Sequence, residues 1–333
     1  MPGMGSLKLE SLSYGAYTEL SAQNGDFNMK WNSNWQRQLF CPVTVAPSQR
    51  RIRRKGMRNT RILIAFMAAS LCAPAQWVNH PTPGTPRTKD GKPNLAAPAP
   101  RTSQGKPNLS GVWQAEATPI PELVQLIPGG VNGLGESVPN KYFINILADF
   151  KAEEAPLRAS ASGPPLPYTM LAVRKDDPRI RCLPSGMPMV DTLAFPFKIV
   201  QTPSLTMMLF EEDTTFRQIF TDGRKLPEDP QPSWMGYSVG KWEGDALVVE
   251  TIGLIDRSWL DVVGHRHSEA LHVTERFHRV NFGLMELQLT LDDPKTFTRP
   301  VTVNLNVRLR PDTDLIEYYC SENEKDVDHV GLK

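Results

Sequence analysis

Two runs near the end of the chain restrict its fold more than any other feature. Met285, Leu287, Leu289 and Leu291 alternate with Glu286, Gln288 and Thr290; Val301, Val303, Leu305, Val307 and Leu309 alternate with Thr302, Asn304, Asn306 and Arg308. Successive side chains of a strand point to opposite faces, so each run reads as a strand with one apolar and one wet face. Shorter segments continue the pattern: "KIVQT" (198–202), "LTMMLFEE" (205–212), "FRQIFTD" (216–222), "YSVGKW" (237–242), "ALVVETIG" (246–253), "LHVTERFHRV" (271–280) and "DLIEYYC" (314–320). Glu243-Gly244-Asp245 separates two of them by a hairpin-length turn. This spacing predicts a mainly β fold, an antiparallel up-and-down meander forming a barrel or a strongly curled sheet. Helix is confined to one or two peripheral pieces. In 138–154, Tyr142, Phe143, Ile146, Leu147 and Phe150 recur at helical spacing, and Ser321 with Glu324 forms a capping-box pattern.

The 333 residues hold 37 basic and 36 acidic side chains, unevenly placed. Ten Lys and Arg against three acids fall within residues 1–75, leaving 27 basic against 33 acidic beyond. A mildly acidic body argues against nucleic acid as a partner. Residues 57–76, "MRNTRILIAFMAASLCAPAQ", run from two Arg through an apolar stretch to Ala73-Pro74-Ala75, the order of a secretory signal. About 12 apolar residues are too few to span a bilayer. The expectation is a signal peptide at 57–75 cleaved after Ala75, a periplasmic or secreted location, and an upstream extension at 1–56 that precedes the natural start at Met57. Of four Cys, Cys182 and Cys320 lie beyond the signal, and in an exported protein such a pair is expected as a disulfide, with two free buried thiols as the alternative.

Residues 76–108 are rich in Pro, Thr, Gly and Lys and repeat one phrase: Pro-Arg-Thr-x-x-Gly-Lys-Pro-Asn-Leu occupies 86–95 and again 100–109. Proline fixes φ and removes a donor, so this segment reads as an extended linker that delivers the chain into a β-barrel domain spanning 109–333.

The second copy runs into "NLSGVW", which resembles the Gly-x-Trp that opens the first strand of lipocalin-like (calycin) barrels, where the Trp plugs the closed end. "RQIFTDGR", "GYSVGKWEGDALVVET", "SWLD" and the late "DHV" are similar to a group of exported bacterial proteins without an assigned activity. The resemblance implies a lipocalin-like barrel and carries no mechanism with it.

Candidate chemistry is read from the residues themselves. Four His (His265, His267, His272, His278) lie close together with Glu269 and Glu275. A two-His-plus-carboxylate metal site is sterically conceivable, but the spacing does not match an established motif, so no metal or other cofactor is assigned. His267 with Glu269 can form an acid–base pair, and solvated loop histidines are the plainer alternative. On strand 271–280, Glu275 and Arg279 share a face with Leu271, Val273 and Phe277 and must be satisfied inside, by each other or by a neighbour. Arg217 is expected outside or at a rim, because Phe216 and Phe220 occupy the opposite face. The Pro-rich loop 220–238 carries Asp222, Arg224, Trp234 and Tyr237, the residue types that stack on and orient a small ligand, or a plain Ω-loop. No Gly-x-Ser-x-Gly, phosphate loop or dinucleotide fingerprint occurs. The function expected is therefore small-molecule binding in a partly apolar lumen, with Arg279, Trp234, Tyr237, Asp222 and Arg224 as ligand contacts. The alternatives are a cofactor-independent hydrolase, isomerase or lyase using His267, Glu269 and Glu275, and a structural envelope protein.

Overall fold

The structure is a computed structural model that describes residues 20–23, 26–29, 81–126, 139–161 and 177–322. The expected signal segment and its cleavage point, Glu324 of the expected cap, and the "DHV" tail lie outside these residues. The chain divides into two compact units, Met1–Ala75 and Gln76–Lys333. In the first, β1 (Leu20–Gln23) and β2 (Asp26–Met29) pair antiparallel.

The second unit holds a closed nine-stranded barrel. Its strands are β3 (Gly111–Ala115), β4 (Phe197–Gln201), β5 (Leu205–Phe210), β6 (Phe216–Phe220), β7 (Tyr237–Glu243), β8 (Ala246–Ile252), β9 (His272–Arg279), β10 (Leu284–Asp292) and β11 (Val301–Leu309). They follow one another around the wall in chain order, and β11 closes onto β3. Eight joints are antiparallel; β6–β7 is parallel and has only two register pairs, Ile219↔Ser238 and Phe220↔Val239. The loop 221–236 causes this, because it carries the chain back along the barrel before β7 begins.

Two local expectations are corrected. Residues 314–319 form no strand: β11 already pairs with β10 and β3, so it has no free edge to extend, and Tyr318 instead stacks on Phe195. Helix within 138–154 is limited to Lys141–Ile144, after which Asp261 and Asn145 take the Ile146 and Leu147 amides and turn the chain. A second helix, Ile120–Leu126, starts beside Pro119 and Pro121.

Register identifies the inward face. Phe197, Ile199, Met208, Phe210, Ile219, Leu247, Val249, Val273 and Phe277 pack with the apolar sides of β10 and β11 into one continuous core. Trp113 fills one end of it, fully buried, and its Nε1–H donates to the Leu109 carbonyl at 2.8 Å. Arg279 lies over that ring at 4.8 Å and donates to the carbonyls of Asn108, Asn281 and Phe282. Burial lowers the Arg279 pKa to about 10.

The repeated phrase is docked at this same end. In each copy the Gly amide donates to the Thr carbonyl and the Thr amide to the Lys carbonyl: Gly91 to Thr88 at 2.9 Å and Thr88 to Lys92 at 2.8 Å, then Gly105 to Thr102 at 2.9 Å and Thr102 to Lys106 at 2.8 Å. Gly91 and Gly105 sit at φ +77 and +76, which a side chain would oppose. Each Arg donates to the Gly carbonyl of its own turn and forks onto a carboxylate of a barrel loop, Arg87 to Asp312 and Arg101 to Asp245. The first copy's tail adds bonds from the Phe282 and Gly283 amides to the Ala97 and Leu95 carbonyls. An extended spacer was expected. Proline does keep the segment out of the sheet, but its remaining polar groups close two turns that clasp the barrel.

Candidate functional site

The end opposite Trp113 is covered by loops, and beneath them lies a buried polar cluster. Arg217 on β6 points inward, against expectation, and is as buried as the core around it. Its Nη1 donates to Glu275 Oε1 at 2.8 Å and its Nη2 to Glu275 Oε2. Its Nε donates to Ser238 Oγ at 3.0 Å and its Nη2 also to Thr251 Oγ1 at 2.7 Å, while those two hydroxyls lie 3.0 Å apart. The guanidinium thus crosses beneath β7 and β8 to reach β9. Burial is the largest influence and lowers the Arg217 pKa, but the charge and hydrogen bonds of Glu275 with the charge of Asp191 together outweigh it and hold the pKa above its ordinary value. Glu275 is interior as expected, but its partner is Arg217 and not Arg279, which belongs to the opposite end.

A further buried acid lies in the segment that covers this end, and the motifs of the sequence did not point to it. The segment 184–194 lies over the barrel end, with a cis peptide between Met187 and Pro188 and a single 3-10 turn, Met189–Thr192. Met187, Met189, Val190 and Leu193 are buried, and so is Asp191, 1% exposed. Neither oxygen of Asp191 has a hydrogen-bond partner among the described residues. Burial pushes its pKa well above the ordinary carboxylate range and the Glu275 charge pushes the same way, against a smaller pull from Arg217. The signal available in sequence was one Asp in an apolar run, "MPMVDTLAFPF".

The "SWLD" and "GHRH" phrases fold against each other. Ser258 Oγ meets His267 Nε2 at 2.7 Å, and His267 Nδ1 lies 2.9 Å from the Ser268 carbonyl. The Nδ1 contact requires that nitrogen to carry the proton, so Nε2 accepts from Ser258. Burial lowers the His267 pKa, against the Ser268 carbonyl, Asp293 and Asp256. Asp261 is fully buried and accepts from the amides of Ile146, Gly264 and His265 and from His265 Nδ1 at 2.5 Å. Burial alone would lower the His265 pKa, but the Asp261 bond and charge raise it.

The expected acid–base unit is not assembled. Both His267 nitrogens are taken by Ser258 and Ser268, Glu269 is exposed, and Glu275 is held by Arg217. His265 serves Asp261, and His278 is exposed with Nδ1 3.3 Å from Glu286. Among the described residues no group of three His, Cys, Asp or Glu could hold a metal ion.

The loop residues separate as well. Asp222 and Arg224 pair at 2.6 Å, Arg224 reaches Tyr237 Oη at 3.1 Å, and its guanidinium lies 3.8 Å above the Phe220 ring. These side chains lie on the outside of the barrel, since Ser238 next to Tyr237 points inward. Trp234 alone belongs to the covered end: its carbonyl accepts from the Met187 amide at 2.9 Å, and Arg257 lies 5.5 Å from its ring.

Cys182 and Cys320 form a disulfide immediately before the covering segment. Beside it, Glu212 accepts from Ser185 Oγ at 2.5 Å, and its Oε2 has no partner among the described residues. Burial raises the Glu212 pKa to about 7, with Asp213 adding to the rise and Ser185 and Arg179 opposing it. No family model, curated protein or solved structure matches the chain.

Proposed function

We propose that the chain is an exported, lipocalin-like small-molecule-binding barrel whose ligand sits at the end covered by 184–194. Asp191 carries this reading. A wall that only needed to be stable would have no use for a buried carboxyl with neither oxygen bonded among the described residues, because an unsatisfied buried acid costs stability. The surrounding Met208, Phe210, Ile219, Val249 and Leu289 suit a partly apolar body, and Glu275 and Asp191 suit a polar head. The Cys182–Cys320 disulfide supports an oxidising compartment. No helix among the described residues is long and apolar enough to cross a membrane.

The test is capture of extracted metabolites by purified protein, read by native mass spectrometry, on wild type and Asp191→Asn. A bound small molecule that the variant loses while keeping its circular dichroism supports the reading; a wild-type barrel that captures nothing sinks it. The second reading, a structural envelope protein, is favoured by the complete saturation of Arg217. Under it, Asp191→Asn changes stability and nothing else.

A further inference from the structure

Among the described residues two guanidiniums are buried, and they are compensated differently. Arg217 holds the carboxylate of Glu275, whereas Arg279, 4% exposed, meets no acid among the described residues. Its partners are the Asn108, Asn281 and Phe282 carbonyls and the Trp113 and Phe282 rings, 4.8 and 5.1 Å away. Carbonyls and rings solvate a cation but bring no negative charge, and burial pulls the Arg279 pKa down with nothing opposing it. The carbonyls use three of its five N–H groups, which leaves two without a partner among the described residues.

Arg279 also lines a cavity of about 490 Å³, between the chain that enters the first clasp and the Trp113 end of the barrel. Small-molecule sites span about 300–1,000 Å³, so it holds far more than an inorganic ion. Pro83, Pro100, Phe282 and Leu309 give it apolar walls, and Lys198 and Arg310 line it as well. The acid on that lining, Asp314, already answers Lys198 at 3.5 Å. Thr85 lines it too, and its Oγ1 is buried with no partner among the described residues.

We propose that this cavity is a second ligand site, at the opposite end from 184–194, and that it takes an organic monocarboxylate whose acid group meets Arg279 and whose apolar body lies on Phe282, Leu309 and the prolines. The site stands independently of the reading given for the covered end. One buried charge without a counter-charge is neutralised by one negative charge, and the planar guanidinium matches the plane of a carboxylate. A neutral molecule leaves the charge as it is, and an amine is repelled by it. The hydroxyl of Thr85 supplies a third donor to the same acid group. In the second copy of the repeated phrase the place corresponding to Thr85 is taken by Ala99, so the turn itself has no need of that hydroxyl.

Isothermal titration at constant ionic strength with benzoate and benzamide, which share a shape and differ in charge, tests the site. Wild type should bind one benzoate per chain, at least about tenfold more tightly than benzamide. No saturable binding of benzoate, or equal affinities of the two probes, overturns the proposal. Arg279→Gln should bind the two probes equally, and a preserved preference for benzoate overturns the role of Arg279. Because Arg279 also packs on Trp113, that variant can fail to fold, and Thr85→Ala then decides. It should keep the circular dichroism of wild type, as the Ala99 turn does, and bind benzoate about fivefold more weakly through the lost hydrogen bond. An unchanged affinity in Thr85→Ala overturns the placement of the acid group in this cavity.

Discussion

Arg217 and Glu275 meet inside the barrel although their strands, β6 and β9, are separated around the wall by β7 and β8. The contact bridges the weakest seam. The parallel β6–β7 joint has two register pairs, and the Arg217 guanidinium bonds one residue on each of the next three strands, Ser238, Thr251 and Glu275. Glu275→Gln should therefore cost about 3–5 kcal/mol, because it leaves a buried guanidinium without its counter-charge. Replacing both, as Arg217→Met with Glu275→Leu, should cost less than the two single changes added together. Urea denaturation of the four proteins measures the difference, and simple additivity would remove the seam-bridging role.

Glu212 sets a pH dependence of definite sign. Its ordinary value of 4.5 rises to about 7 in the fold, so the folded state holds the proton more tightly. The associated stability is fully present below about pH 4.5 and is lost as pH rises to about 7, on the order of 3 kcal/mol in all. Glu212→Gln should lack this loss. The check is the difference between variant and wild-type unfolding free energies over that window, which should change in favour of the variant as pH rises.

Gly283 tests whether the clasps are structural. A Cβ there would lie 2.5 Å from Leu95 Cβ and 3.1 Å from Leu95 Cα, so Gly283→Ala must push the tail of the first repeat off the β9–β10 turn. The expected result is faster proteolytic cleavage within 81–97, with the barrel's circular dichroism unchanged. An unaltered cleavage rate would mean that the docking contributes nothing.

The disulfide joins residues 138 apart in sequence. Chain entropy then sets an upper expectation of about 4–5 kcal/mol for its contribution. Cys182→Ser with Cys320→Ser should lower the melting temperature, and hydrogen exchange should rise first in 184–194, directly after the lost anchor. A uniform rise throughout the barrel would show that the disulfide does not anchor 184–194 in particular.

What the sequence determined by itself was the wall. Strict alternation at 285–291 and 301–309, the Glu243-Gly244-Asp245 hairpin and Trp113 after Gly111 are local signals, and each follows from the period of a strand or the φ of a turn. The Cys182–Cys320 pairing was legible for the different reason that few cysteines leave few choices. Which face of each strand points inward was only partly legible. On β9, Glu275 stood among Val273 and Phe277 and was assigned correctly to the interior. On β6, Phe216 and Phe220 drew the assignment the wrong way, because alternation distinguishes two faces but not inside from outside, and here the outer face carries Leu205, Met207, Leu209 and an exposed Phe216. Only the tertiary structure decided that Arg217 goes in, since a buried guanidinium is tolerable only where Ser238, Thr251 and Glu275 converge from three other strands. It alone buried Asp191 without a partner for either oxygen among the described residues, split His267 from Glu269, and turned a proline-rich repeat into two clasps. The Arg217 cluster and the clasps depend on partners from 21 to 230 residues away, and a hydrogen bond at that separation has no local periodicity to reveal it.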